Sequence, residues 1–398
     1  MNYKTTGQIK ALDAQNHMGA YSRFSAALTS GKGATAFDPE GKKYIDFGSG
    51  IGVNSLGYAD EGWVTAVSEQ AARIQHTSNL YYNQPQAELS AKLCGLTGYN
   101  KVFLCNSGAE ANECAIKLAR KYSCDRYGAE RNQIITLRNS FHGRTVTTLS
   151  ATGQDDMHDF FFPFTGCFAY AQAGSLEELK SLSGKNTCAV MMELIQGEGG
   201  VRPMEEEYVR NAAAFCKEQD ILLIVDEVQT GVGRTGKLFA YEHYGIRPDI
   251  VTAAKGLGGG LPIGACLCSE KLAKVIGPGQ HGTTFGGNPV VCAGALYVLG
   301  RITEPGFLEE VEKKGEYLRS HIAALPQIRE VRGRGMMLGA VLEKGESKAI
   351  AAQCVENGLL ILTAKTLLRM LPPLTITKPE IDEGLEILGW ALSNAEKE

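Results

Sequence analysis

Two side chains in this sequence could do chemistry together, Asp226 and Lys255. Asp226 closes the run Ile221-Leu222-Leu223-Ile224-Val225, and Lys255 closes Ile250-Val251-Thr252-Ala253-Ala254. Short apolar runs rich in β-branched residues are the pattern of strands buried on both faces of a parallel sheet. Ligands bind at the carboxyl edge of such a sheet, so each run delivers a charged group to a binding edge. Gly256-Leu257-Gly258-Gly259-Gly260 follows Lys255 and carries almost no side chains to crowd a ligand. An aspartate to partner a pyridinium nitrogen and a lysine to form a Schiff base are the two groups that pyridoxal phosphate (PLP) chemistry asks of a protein.

Three other readings use the same stretch. Gly231 to Lys237 has the G-x-x-x-x-G-K spacing of a P-loop, but Leu238 follows where Ser or Thr would hold Mg²⁺, and the acidic strand comes before the loop. Gly231 to Gly236 also fits G-x-G-x-x-G, yet Lys237 to Gly245 is too short and aromatic for the crossover helix of a dinucleotide site. A structural ion pair between Lys255 and Asp226 stays open on strand geometry alone.

The elements that must position these groups follow the same plan. Lys101 to Cys105 reads as a strand running into Asn106-Ser107-Gly108-Ala109-Glu110, a small-residue turn that opens a helix. Ser107 can cap that helix, while Gly108 and Ala109 leave its backbone N–H groups open to a phosphate; an ordinary capped helix would look the same. Ile134 to Leu137 leads to Phe141-His142-Gly143-Arg144, an aromatic face beside a carboxylate-binding fork. Cys188 to Met192 ends in Glu193, before Gln196-Gly197-Glu198-Gly199-Gly200. Pro262 to Ser269 is a further strand, and Thr283 and Thr284 precede a helix from Val290 to Ile302 that they could cap or complement with phosphate binding. Ala34 to Phe47 alternates like a hairpin, and Gln86 to Leu96, Glu309 to Leu325 and Lys378 to Leu392 are periodic as helices. Arg369 lies on a strand stopped by Pro372-Pro373. The expected division is a large domain over 53–302, with 1–52 and 303–398 forming the two parts of a smaller α+β domain.

With 44% hydrophobic and 21% charged residues among 398, the chain is a folded globular protein rather than a disordered or fibrous one. A net charge of −4 without Lys/Arg runs argues against nucleic acid as a partner. Neither a signal-peptide core nor about 18 consecutive apolar residues occurs, so no membrane association and a cytoplasmic location are expected. The eleven cysteines, without a C-x-x-C pair, read as buried free thiols, and the seven histidines form no H-E-x-x-H, so no metal is expected.

Taken in order, these segments resemble class-III PLP-dependent aminotransferases of fold type I along essentially the whole chain. The matching motifs are Asn106 to Glu113, Phe141-His142-Gly143-Arg144, Glu193 with Gln196-Gly197-Glu198-Gly199, Asp226-Glu227-Val228-Gln229, Lys255-Gly256-Leu257-Gly258, and Thr283-Thr284 before Phe285-Gly286-Gly287-Asn288-Pro289. Tyr21-Ser22-Arg23 and His76 to Tyr82 are similar to the branch acting on acetylornithine. The resemblance implies an α/β fold, with a mostly parallel central sheet flanked by helices and a smaller α+β domain built from both termini. It also implies that Lys255 carries PLP, that Asp226 faces the pyridine nitrogen, that Glu227, Val228 and Gln229 belong to the cofactor site with Gln229 near the phenolic oxygen, and that Phe141 stacks on the ring. Ser107, Gly108 and Ala109 would hold the phosphate, helped by Thr284 from the other subunit of a homodimer. Arg144 and Thr283 would take the donor's α-carboxylate, with Tyr21 in the substrate site; Arg369 would take that of 2-oxoglutarate, shielded by Glu193 when the donor is bound.

The implied reaction moves the δ-amino group of N-acetylornithine to 2-oxoglutarate, giving N-acetylglutamate 5-semialdehyde and glutamate, a step of arginine biosynthesis. The turn Gly57-Tyr58-Ala59-Asp60-Glu61-Gly62 departs from the family pattern, and no proline closely follows Arg23. Both lie in the region that shapes the substrate entrance. Donors such as ornithine, succinylornithine, 4-aminobutyrate or succinyldiaminopimelate, and an aminomutase activity, therefore stay open.

Overall fold

The computed structural model describes residues 4–394. Its centre is the parallel pairing of Thr187–Met192 with Leu222–Asp226, which sets Leu222 beside Ala189 and Val225 beside Met192. These strands belong to a seven-stranded sheet in the order Lys101–Cys105, Gly264–Cys268, Ile250–Ala253, Leu222–Asp226, Thr187–Met192, Gln133–Leu137, Phe168–Ala171. Only Gly264–Cys268 runs against its neighbours, so the sheet is mostly parallel and the carboxyl ends of the other six strands share one edge.

The apolar runs are continuous because both faces are covered. Leu222 and Ile224 pack with Ala115, Ile116 and Ala119 of the long helix Gly108–Tyr127. Leu223 and Val225 face the opposite layer, with Val209 and Ala212 of Glu206–Glu218 and Val298 and Leu299 of Pro289–Ile302. Each such fully buried aliphatic side chain contributes roughly 1.5–3 kcal/mol, which makes the sheet a rigid platform for whatever its edge carries.

The expected hairpin forms, Thr35–Phe37 pairing antiparallel with Lys43–Asp46. Leu359–Leu360 adds to it in parallel against Ile45 and Asp46, so distant parts of the chain share one small sheet. A second antiparallel sheet joins Ile328–Arg334, Met337–Leu342, Leu367–Met370 and Leu362–Ala364 and is accompanied by the helix Phe307–Ala323, while Lys378–Asn394 packs on Lys43–Asp46 and Leu359–Leu360 of the first. Gly231 to Lys237 is a turn followed only by the short helix Tyr241–Tyr244, not a phosphate loop feeding a long helix. All the cysteines are free, but Cys124 and Cys167 are exposed and Cys94 half-buried, because each sits on the outer face or end of its element. Among the described residues no helix is long and apolar enough to cross a membrane.

Candidate active site

The shared strand edge opens into a cavity of about 470 Å³. Ser107, Gly108, Ala109, Phe141, Arg144, Glu193, Asp226, Val228, Gln229 and Lys255, all expected in the site, line it.

At one end the strand Lys101–Cys105 turns at Asn106 and Ser107 into Gly108–Tyr127. Ser107 Oγ accepts the Glu110 N–H at 3.2 Å, capping a 20-residue helix whose positive end faces the cavity. A Cβ on Gly108 would stand 2.6 Å from Val228 Cγ1, so glycine is what lets the helix start press against the segment after Asp226. The result is a cradle of backbone N–H groups suited to a phosphate.

Asp226 is 4% exposed and held from both oxygens. Its Oδ2 accepts Asn112 Nδ2 and His142 Nδ1, each at 2.8 Å, and its Oδ1 accepts the Val228 N–H at 3.0 Å. Asn112 Nδ2 also donates to the His142 carbonyl, and Asn112 Oδ1 accepts the Thr252 hydroxyl at 2.8 Å. None of these donors is Lys255, so the structural ion-pair reading loses its basis. Asn112 and His142, which hold this carboxylate, are site residues given no role of their own in the sequence. The signal for Asn112 was present, since four residues after Gly108 it lies one helical turn inward on the same face.

Lys255 follows Ile250–Ala253 after the single residue Ala254 and starts a 3₁₀ turn with φ of 41°, a left-handed conformation costly for a side chain with a Cβ. Burial lowers the affinity of its amine for a proton and the Arg369 charge adds to this, while Glu198, Asp226 and Glu193 oppose it. Such an amine is the type that reacts with carbonyl carbon.

The carboxylates after Thr187–Met192 divide otherwise than expected. Glu198 Oε1, not Glu193, meets Arg369 Nη1 at 2.6 Å. Glu193 instead accepts the N–H of Phe141 at 2.8 Å and of Gly197 at 3.2 Å, and burial, with Asp226 adding, pushes its carboxyl up to about 7. Glu193, the residue after the strand, is tied to the Phe141 and Gly197 N–H groups, whereas the glycine-rich turn carries Glu198 to Arg369; both carboxylates line the cavity. A Cβ on Gly197 would stand 2.2 Å from Gln229 Oε1, itself buried without a partner at the cavity. Arg369, 3% exposed, lies behind Glu198 rather than on the lining.

Besides Arg369, four expected residues lie off the cavity lining. Glu227 turns away from it, accepting the Thr230 hydroxyl and the Tyr241 N–H at 2.8 Å, because it ties down the 227–241 turn. Thr283 Oγ1 accepts Asn106 Nδ2 at 2.8 Å, outside the lining, and Thr284 is exposed. Tyr21 is also exposed, with the Arg23 guanidinium over its ring.

A helix-end cradle that a Cβ would fill, the aromatic face of Phe141, a doubly held carboxylate, an unpartnered amide oxygen and a proton-poor amine fit PLP. On this mostly parallel sheet they define a PLP-dependent enzyme of fold type I. Residues 18–392 match the family described as Aminotransferase class-III. An acetylornithine aminotransferase of Haemophilus ducreyi is 50% identical over 391 residues, 98% of this chain and 99% of the relative. The structure is similar to an N-acetylornithine aminotransferase from Stenotrophomonas maltophilia, with a TM-score of 0.84 at 37% identity, covering 96% and 98% of the two chains. It is also similar to the ornithine aminotransferase of Toxoplasma gondii, with a TM-score of 0.95 at 31% identity and coverage of 99% and 96%. The chain belongs to the class-III aminotransferase family, and it is a PLP-dependent aminotransferase taking a small-molecule amino donor and a keto-acid acceptor.

Proposed function

We propose that this enzyme moves the δ-amino group of N-acetylornithine to 2-oxoglutarate, yielding N-acetylglutamate 5-semialdehyde and glutamate for arginine biosynthesis. The observation that carries the reading is the pair of Glu198, on the cavity wall, with Arg369 behind it, set against the exposed Arg144 on the lining. One cation is open and the other is masked by a carboxylate. That suits a pocket that must accept two unlike acids in turn.

In this reading the N–H groups at Ser107, Gly108 and Ala109 would hold the phosphate of PLP, Asp226 its pyridine nitrogen, Phe141 and Gln229 its ring, and Lys255 would carry the group. PLP supplies an electron sink for the carbon that loses its proton. Asn112 and His142 hold the Asp226 carboxylate in place, so that it would be fixed where it meets that nitrogen. Lys255 Nζ, made less basic by burial, accepts the proton leaving the donor's δ-carbon. Arg144 binds the donor's α-carboxylate while Glu198 neutralises Arg369. When 2-oxoglutarate enters, its α-carboxylate replaces Glu198 on that guanidinium. Val228 packs under the helix start. We further propose a homodimer in which Thr284 reaches the neighbouring subunit's phosphate and Thr283 and Tyr21 border its substrate site. A cytoplasmic location suits a chain whose cysteines are all free.

The test is single-turnover bleaching of the yellow holoenzyme by N-acetylornithine, ornithine, succinylornithine and 4-aminobutyrate, followed by recovery with 2-oxoglutarate. N-acetylornithine should bleach fastest. Faster bleaching by another donor overturns the donor assignment, and recovery without any keto acid would reveal an aminomutase.

A further inference from the structure

The turn from Gly231 to Gly236 fits G-x-G-x-x-G without being a phosphate loop, yet Arg234 within it is only 2% exposed. Its Nη1 donates to the Met336 carbonyl at 3.1 Å and to the Pro372 carbonyl, while the Arg234 carbonyl accepts the Met336 N–H at 2.9 Å. Those two carbonyls belong to neighbouring strands. Met337–Leu342 pairs with Leu367–Met370, Gly339 opposite Arg369 and Leu338 opposite Met370. The same register, continued past its last pair, sets Met336 opposite Pro372. Proline has no N–H, so the ladder stops there and the guanidinium joins the two carbonyls instead. Leu371, between Arg369 and this bridge, is fixed from another side. Its N–H donates to the Phe47 carbonyl at 2.7 Å, and its carbonyl accepts Ser49 Oγ at 2.5 Å. Ser49 opens a left-handed turn, with φ of 42°, 63°, 66° and 76° at Ser49, Gly50, Ile51 and Gly52. Asp46 Oδ1 holds that turn by accepting the Gly48 and Ser49 N–H groups at 2.7 Å each. A Cβ on Gly52 would stand 3.7 Å from Leu371 Cδ1 and 4.0 Å from Arg234 Nε, so the turn packs on both.

We propose that Arg234 is a positioning residue for the keto-acid half-reaction, a role that rests on Arg369 taking the α-carboxylate of 2-oxoglutarate. By bridging the strand ends at Met336 and Pro372, it sets where Arg369, three residues before Pro372, lies behind Glu198. A guanidinium is costly to bury, and this one is spent on holding the backbone of two other segments. It reaches them from the turn that follows Leu222–Asp226, so one side chain ties the strand ending in Asp226 to the strand carrying Arg369. A guanidinium–carboxylate contact depends on the placement of its fork, so a shift of the strand end is felt when a dicarboxylate must replace Glu198. Arg144 stands on the loop after Gln133–Leu137, outside this clamp. The two half-reactions therefore depend on Arg234 unequally.

The experiment follows the holoenzyme through single-turnover bleaching by N-acetylornithine and recovery of colour with 2-oxoglutarate, in Arg234→Met, Arg369→Ala and the double variant, with thermal unfolding alongside. Arg234→Met keeps the length of the side chain and removes its donors. It should slow recovery about tenfold or more, within the roughly hundredfold that a misplacement of about 1 Å can cost, and change bleaching by less than about twofold. The double variant should recover no more slowly than Arg369→Ala alone, because Arg234 acts through Arg369. Bleaching slowed as much as recovery, lower stability with neither rate changed, or losses that add in the double variant would overturn the proposal. Should Arg234→Met not fold, Ser49→Ala, which frees only the Leu371 carbonyl, decides by the same split. A selective loss in Arg369→Ala without one in Arg234→Met removes Arg234 and leaves the reading of Arg369 standing. No selective loss in Arg369→Ala overturns both.

Discussion

Arg369 and Glu198 make the most specific claim at the scale of single residues. If Arg369 serves only the dicarboxylate, Arg369→Ala should slow recovery of colour with 2-oxoglutarate by at least about tenfold, the equivalent of a charge-assisted contact of roughly 1.5–3 kcal/mol. Bleaching by N-acetylornithine should change much less, and equal losses in the two half-reactions would make Arg369 a structural partner. Glu227 makes a different prediction, about stability. Burial raises its carboxyl from 4.5 to about 7. Between those values the folded chain holds a proton that the unfolded chain has released, so this group's effect is for stability to fall as pH rises through that window. Glu227→Gln, measured by thermal unfolding, should shrink the stability lost between about pH 5 and pH 8 by up to about 3 kcal/mol; Glu193, shifted the same way, leaves part of the slope. The positions of Asp226 and Lys255 were legible because each ends an apolar strand. The choice between Glu193 and Glu198 was not, since both follow the same strand and the N–H groups of Phe141 and Gly197 decide which one is held away from Arg369.

Among the elements, the helix Gly108–Tyr127 carries the most function, holding the cradle at its first residue and Asn112 one turn later. Gly108→Ala places a methyl where Val228 stands, so the apo-protein's affinity for PLP should fall at least about tenfold, the order of a displaced charge-assisted contact. Val228→Ala opens that space, and the double variant should regain part of the loss in a fluorescence titration with PLP; no recovery would mean that the glycine matters for another reason. Strand, small turn and capped helix could be read from the residues themselves, because capping and strand periodicity are local. The contact between Gly108 and Val228 joins positions far apart in the chain and needs the sheet order to exist.

For the molecule as a whole, Leu80, Tyr81 and Tyr82 and the nearby Phe285 are large, apolar and exposed, on segments linked by Asn79 Nδ2 donating to the Thr283 and Gly286 carbonyls. Such a surface beside Thr284 is where the proposed second subunit would sit. Tyr82→Asp should shift sedimentation toward monomer and weaken PLP retention with it, since cofactor binding to the assembled state links the two. A fully loaded, active monomer would sink the idea that Thr284 serves a neighbouring site.

The residues alone determined the class of fold, the acid and the amine at two strand ends, the small-residue turn that opens the long helix and the family, because these rest on short-range periodicity and on motifs contiguous in the chain. Tertiary structure alone decided which carboxylate masks Arg369, that Asn112 and His142 hold Asp226, and that Glu227 leaves the site. Each of these is a contact between segments brought together by the order of strands in the sheet, and that order is set by the packing of both faces rather than by any one stretch of sequence.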